Sequence, residues 1–105
     1  MKTITPKELK AEIDKGEKWQ MIDVRDPYET EVACLGVLKI PMAEIESKID
    51  KINREGKVAI FCNSGNRSQA VVNLLETEYN FNNLYSMDGG IKAWAEQVDQ
   101  TIELS

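Results

Sequence analysis

Lys57-Val58-Ala59-Ile60-Phe61-Cys62-Asn63-Ser64-Gly65-Asn66-Arg67-Ser68 joins two kinds of sequence pattern within twelve residues. Its first five residues, set off by Gly56, form a short apolar run of the length expected for a buried strand. From about Asn66 the pattern becomes helical, with Ala70, Val71, Leu74 and Leu75 in an apolar stripe of period 3.6 that runs to about Tyr79. Cys62 is therefore the first residue of a strand-to-helix turn. Small and amide residues with Gly65 among them let such a turn curl until several backbone N–H groups point inward, an anion-binding nest at a helix N-terminus. A helix N-terminus and a nearby cation both favour the thiolate of a cysteine. Arg67 supplies the cation five positions on, and Ser64 and Ser68 add hydroxyls. Cys62 is expected to be reactive, with a thiolate or persulfide seated among Asn63, Ser64, Gly65, Asn66, Arg67 and Ser68. The plainer readings are a cysteine that packs as a small hydrophobe and serines that cap the helix.

Upstream, Thr5-Pro6-Lys7-Glu8 carries a helix start: Thr5 as cap, Pro6 at the first helical position, and Glu8 where a capping-box carboxylate stands, with Gly16 ending the helix. Trp19 to Val24 reads as a strand with Asp23 near its carboxyl end. Asp26-Pro27 turns into a short helical segment, and Val37 to Ile40 is a further strand closed by Pro41. Met42, Ile45, Ile49 and Ile52 are spaced to share one face of a helix. Downstream, Leu84 to Met87 is a strand, Gly89-Gly90 a turn, and Ile91 to Val98 a closing helix anchored by Ile91 and Trp94. Strands alternating with helices imply an α/β class with a mainly parallel sheet of four or five strands, covered on both faces. Cys62, with Asp23 and Arg25, then falls beyond the carboxyl ends of strands, where open α/β sheets place their ligand sites. Asp23 either supports the cysteine loop or pairs with Arg25, and Arg25 either orients an anionic donor or serves as that partner. Asp88-Gly89-Gly90 also follows a strand and is expected near the cysteine loop.

At 105 residues the chain is read as one domain, 1–105, with a normal core: 42% of residues are hydrophobic and 30% charged. The net charge of −5 disfavours nucleic acid and anionic lipid as partners. The longest apolar run, Val58 to Cys62, is too short to cross a bilayer, and Met1 to Lys10 lacks the apolar core of a signal peptide, so a cytoplasmic location is expected. Free thiols are then the default for Cys34 and Cys62. Histidine is absent, which removes Cys-His and Ser-His catalytic pairs and His-containing metal sites. Without a Cys-x-x-Cys pair or a nucleotide fingerprint, no metal and no cofactor are expected.

Three segments in order resemble the rhodanese superfamily: Met21-Ile22-Asp23-Val24-Arg25-Asp26-Pro27-Tyr28-Glu29, the loop Cys62 to Ser68, and Met87-Asp88-Gly89-Gly90-Ile91-Lys92-Ala93-Trp94. The resemblance implies a rhodanese-like three-layer α/β/α domain in which Cys62 is the catalytic cysteine, Asn63 through Ser68 the persulfide cradle, and Asp23 and Arg25 supporting residues. It implies that Cys62 takes a sulfane sulfur from thiosulfate, a thiosulfonate or a protein persulfide, and passes it to a nucleophilic acceptor. Phosphatases and arsenate reductases resemble the loop but place five residues between cysteine and arginine, where this chain has four. A second reading is a non-catalytic rhodanese-like interaction module, although inactive members commonly lose the cysteine. Many rhodaneses carry Gly-His-Ile where this chain has Ala33-Cys34-Leu35-Gly36. The spacing from Asp23 to Pro41 and the ending Trp94 to Asp99 are instead similar to rhodanese domains fused to the adenylating enzymes of thiamine and molybdopterin biosynthesis. That likeness extends the implied partners to a sulfur carrier or an adenylating enzyme acting in trans. Cys34 is either a resolving thiol or a packing residue and stands outside the catalytic set.

Overall fold

Short apolar runs separated by amphipathic segments fold as one twisted sheet with helices laid against it. The computed structural model describes residues 1–32 and 37–99; Cys34, with the roles considered for it, lies outside the described residues. Strands β1 (Lys2–Ile4), β2 (Trp19–Asp23), β3 (Leu38–Lys39), β4 (Lys57–Phe61) and β5 (Leu84–Met87) pair in the order β1-β5-β4-β2-β3. Every pairing is parallel. The helices are α1 (Pro6–Asp14), α2 (Pro27–Val32), α3 (Asn66–Glu78) and α4 (Gly90–Gln97), with a 3-10 segment over Met42–Lys51.

Alternation along β4 divides the core. Val58, Ile60 and Cys62 face a cluster built from Ile22, Val71, Val72, Leu75 and Leu84. Ala59 and Phe61 face the opposite cluster, built from Ile4, Leu9, Met87, Ile91 and Trp94. The sheet is thus covered by α3 and the 3-10 segment on one face and by α1 and α4 on the other, the arrangement a parallel sheet requires. Trp94 anchors α4 as expected, while Trp19 packs edge-on against Tyr85 at a centroid distance of 5.0 Å.

Three elements differ from the expectation from sequence. β1 falls in residues with no strand signal, because three residues with only Ile4 buried carry no usable period. Its pairing with β5, Ile4 opposite Met87, makes it a strand. The segment beginning at Met42 is a 3-10 helix rather than an α-helix, with a kink at Lys48 where φ is −124° and ψ 27°. The four-residue step from Ile45 to Ile49 is taken across that kink, so Ile45 and Ile52 still reach the core, while Met42 stays 41% exposed. β3 is confined to Leu38–Lys39, inside the expected Val37 to Ile40: Ile40 N–H still donates to the Asp23 carbonyl at 2.9 Å, continuing the parallel ladder, before Pro41 ends it. The capping box at Thr5 forms in both directions: Glu8 N–H to Thr5 Oγ1 at 3.1 Å, and Thr5 N–H to Glu8 Oε1 at 3.0 Å.

Candidate active site

β4 delivers Cys62 at its carboxyl end, and the chain must reverse at once to lay α3 back along the sheet. Gly65 makes that reversal at φ +108°, a left-handed conformation that glycine adopts without a Cβ clash. The left-handed residue followed by helical ones turns successive N–H groups inward, which is the nest geometry. Both inner donors find the sulfur. Gly65 N–H lies 3.1 Å and Ser68 N–H 3.4 Å from Cys62 Sγ. The thiol donates toward Ser68 Oγ at 3.8 Å, and that hydroxyl is held by the Gly65 carbonyl at 3.0 Å and by Ser86 Oγ at 2.9 Å. Of the expected cradle, Gly65 and Ser68 direct their N–H groups at the Cys62 sulfur, whereas Ser64 and Asn66 are exposed and Asn63 is half-buried.

The turn after β5 supports the loop from below. Ile91 N–H donates to the Cys62 carbonyl at 2.9 Å and Lys92 N–H to the Asn63 carbonyl at 3.2 Å, so the N-terminus of α4 holds the loop rather than standing open. This approach is possible because Gly90 has no side chain: a Cβ there would lie 2.4 Å from the Cys62 oxygen. The expectation that Gly89-Gly90 lies beside the cysteine loop is met.

Asp23 and Arg25 form a buried pair next to the site, 0% and 3% exposed. Asp23 accepts the Arg25 backbone N–H at 3.0 Å, its Nε at 3.0 and 3.1 Å, and its Nη2 at 2.8 Å. Both Asp23 oxygens are thus given to Arg25, which is the structural alternative of the two considered for this aspartate. Arg67 stands at the mouth of the loop, and its charge is met by a residue to which the sequence assigns no role. Glu29 takes Nη1 at 2.7 Å and Nη2 at 2.8 Å, while Asp26 Oδ2 lies 3.9 Å from Nη1. The guanidinium hydrogen bonds, with the N–H of Asp26, bring the Glu29 carboxyl down to about 2 and push Arg67 further up. Glu29 was legible as the residue three places after Asp26, in capping position, and its carboxylate does accept the Asp26 N–H at 2.9 Å. Its reach to Arg67 spans elements and has no sequence signal. Ser86 was missed as well; a single buried hydroxyl inside an apolar strand was the available clue.

The sulfur itself is closed off, with Cys62 1% exposed. Sulfur transfer, as expected from the sequence, requires a solvent-open thiol, and the loop as folded covers it: burial as a member of the core cluster keeps the side chain inward.

This cysteine nest, set at the end of the central strand of an all-parallel sheet, defines a cysteine-loop α/β protein. The family model of the rhodanese-like domain matches residues 5–97, and the chain belongs to that family. The fold is the rhodanese fold: a rhodanese-like domain protein of Staphylococcus aureus superposes with a TM-score of 0.84 at 32% identity, over 100% of this chain and 99% of that one. The probable adenylyltransferase/sulfurtransferase MoeZ of Mycobacterium tuberculosis is 34% identical over 99 residues, covering 91% of this chain and 25% of that protein. The putative sulfur carrier protein YrkF of Bacillus subtilis is 29% identical over 87 residues, covering 82% of this chain and 46% of that protein. The chain thus spans a quarter to a half of the length of these two relatives and is homologous to sulfurtransferase domains.

Proposed function

We propose that residues 1–105 act as one sulfurtransferase unit that carries a sulfane sulfur as a persulfide on Cys62. The observation that carries this reading is the pair of backbone N–H groups, from Gly65 and Ser68, aimed at Sγ from the N-terminal turn of α3. Donors aimed at the sulfur from two sides serve a thiolate better than a thiol. The Cys62 thiolate attacks the outer sulfur of the donor; the donor's S–S bond breaks and sulfite from thiosulfate, a sulfinate from a thiosulfonate, or a thiolate from a persulfide departs. An acceptor nucleophile then attacks the outer sulfur of the Cys62 persulfide and Cys62 leaves as thiolate. Ser68, steadied by Ser86, holds the loop around the sulfur, and Asp23 with Arg25 secures the strand ends beside it. Because the sulfur is buried, the exposed outer part of the loop at Ser64 and Asn66 must part to admit a donor.

Relatives with adenylyltransferase/sulfurtransferase and sulfur-carrier names support a sulfur carrier or an adenylating enzyme in trans as the partner. The cytoplasm, where free thiols persist, is the setting this chemistry suits; among the described residues no helix is long and apolar enough to cross a membrane. A second reading, a non-catalytic interaction module, draws on the burial of Cys62. Phosphatase or arsenate reductase activity is disfavoured by the four-residue spacing and by an Arg67 already bound to Glu29.

Intact-protein mass after incubation with thiosulfate, a thiosulfonate or a small-molecule persulfide separates these readings. Wild type gains one sulfur, roughly 32 Da, as a persulfide that cyanide removes as thiocyanate; Cys62→Ser gains no cyanide-labile sulfur. No adduct from any donor overturns the transfer reading in favour of the interaction module.

A further inference from the structure

The charge arrangement at the loop mouth bears on which donor the site takes, an inference that rests on the sulfurtransferase function proposed above. Arg67 is the loop's own cation, yet both its terminal nitrogens are turned to the Glu29 carboxylate, at 2.7 and 2.8 Å, with Asp26 3.9 Å away. Glu29 is only 14% exposed and is fixed by the Asp26 N–H as well, so it does not swing aside as a loose surface group would. Arg25 is likewise bound to Asp23. Among the described residues, the ion pairs beside the site join Asp23 to Arg25, and Asp26 and Glu29 to Arg67, in a chain of net charge −5.

Such a mouth suits one kind of donor and not another. Thiosulfate is a dianion, and its reaction with a thiolate brings three negative charges together before sulfite leaves. Paired arginines do little to screen them, because a guanidinium that already faces a carboxylate presents almost no net field. A persulfide, R–S–S–H, delivers the same sulfur with less repulsion, because its sulfur carries at most one negative charge where thiosulfate carries two. The Cys62 thiolate bonds to its outer sulfur, the S–S bond breaks, R–S⁻ departs with the electron pair, and the proton stays on the transferred sulfur.

We propose that Glu29 is a donor-selecting residue: by neutralising Arg67 at the mouth of the Cys62 loop, it disfavours dianionic thiosulfate and leaves a low-charge persulfide as the preferred donor. Glu29→Gln keeps the shape of the side chain but removes its charge, which frees the Arg67 field for an anion. The ratio of kcat/KM for thiosulfate to kcat/KM for cysteamine persulfide is expected to rise about fivefold in this variant, the scale on which one partly exposed charge acts. Glu29→Asp, which restores the charge, returns the ratio toward wild type. Wild-type kcat/KM for thiosulfate rises with added salt as repulsion is screened, and Glu29→Gln flattens that slope. A lysine-flanked peptide persulfide, assayed beside cysteamine persulfide, separates a protein source from a small thiol; the faster of the two identifies the source, and both outpace thiosulfate if the inference holds. A substitution that only loosens the loop lowers all rates and leaves the ratio alone. An unchanged ratio and salt slope, with Cys62 still loaded by the persulfides, overturns the role of Glu29 and leaves the sulfurtransferase reading standing. Failure of every donor to load Cys62 overturns both.

Discussion

Gly90 shows how much of the site hangs on single atoms. Its φ is +63°, and an added Cβ would meet the Cys62 oxygen at 2.4 Å and the Asn63 carbonyl at 2.6 Å, so neither the backbone nor the loop can stay in place. Gly90→Ala is expected to destabilise the fold by about 2–4 kcal/mol, from a strained dihedral together with overpacking, and to abolish cyanide-labile sulfur on Cys62. Urea unfolding and intact mass check the two parts separately. Asp23→Ala leaves Arg25 buried beside the site without the carboxylate that takes its Nε and Nη2, and about 3 kcal/mol or more is expected to be lost, again read by urea unfolding. At this scale the sequence marked Cys62, Gly65 and Arg67 as a loop. It could not tell that Arg67 faces Glu29, because that contact spans 38 residues of chain.

Local elements were legible where their signals are local. The Thr5–Glu8 capping box needs only four consecutive residues, and Thr5→Ala is expected to cost about 1 kcal/mol in thermal or urea unfolding. The apolar spacing of Met42, Ile45, Ile49 and Ile52 fits a period of 3.6 and so points to an α-helix, while the segment follows a 3-10 course kinked at Lys48 where it lies against α3, which that spacing does not show. Between elements, the Glu29–Arg67 pair ties α2 to the first turn of α3, and its contribution has a defined pH window. The folded carboxyl titrates at about 2, below its ordinary 4.5, so the pair's stabilisation is complete above pH 4.5 and is lost as pH falls through 2. Arg67 is 32% exposed, so solvent screening holds the gain to roughly 1 kcal/mol. The unfolding free energies of wild type and Glu29→Gln should differ by that amount near neutral pH and converge toward pH 2.

In the whole molecule, β4 lies between β2 and β5 and its apolar residues from Val58 to Phe61 are fully buried, whereas β3 is a two-residue edge strand. Amide hydrogen exchange is therefore expected to be slowest in β4, at the free energy of global unfolding, and much faster at Leu38 and Lys39. Fast exchange along β4 would contradict this placement of the core. The same central position explains the site: in a parallel sheet all carboxyl ends lie on one edge, so the loops after β2, β4 and β5 must meet there.

Taken alone, the sequence determined the α/β class, the strand-to-helix turn at Cys62 and the glycines that let it close, because each follows from periodicity or from backbone freedom within a few residues. Tertiary structure decided the rest. Pairing with β5 turned Lys2–Ile4 into a strand, and packing buried the Cys62 sulfur. The approach of α2 to α3 gave Arg67 to Glu29. These outcomes depend on distances between residues far apart in the chain, and such distances are set only when hydrophobic burial brings the layers together.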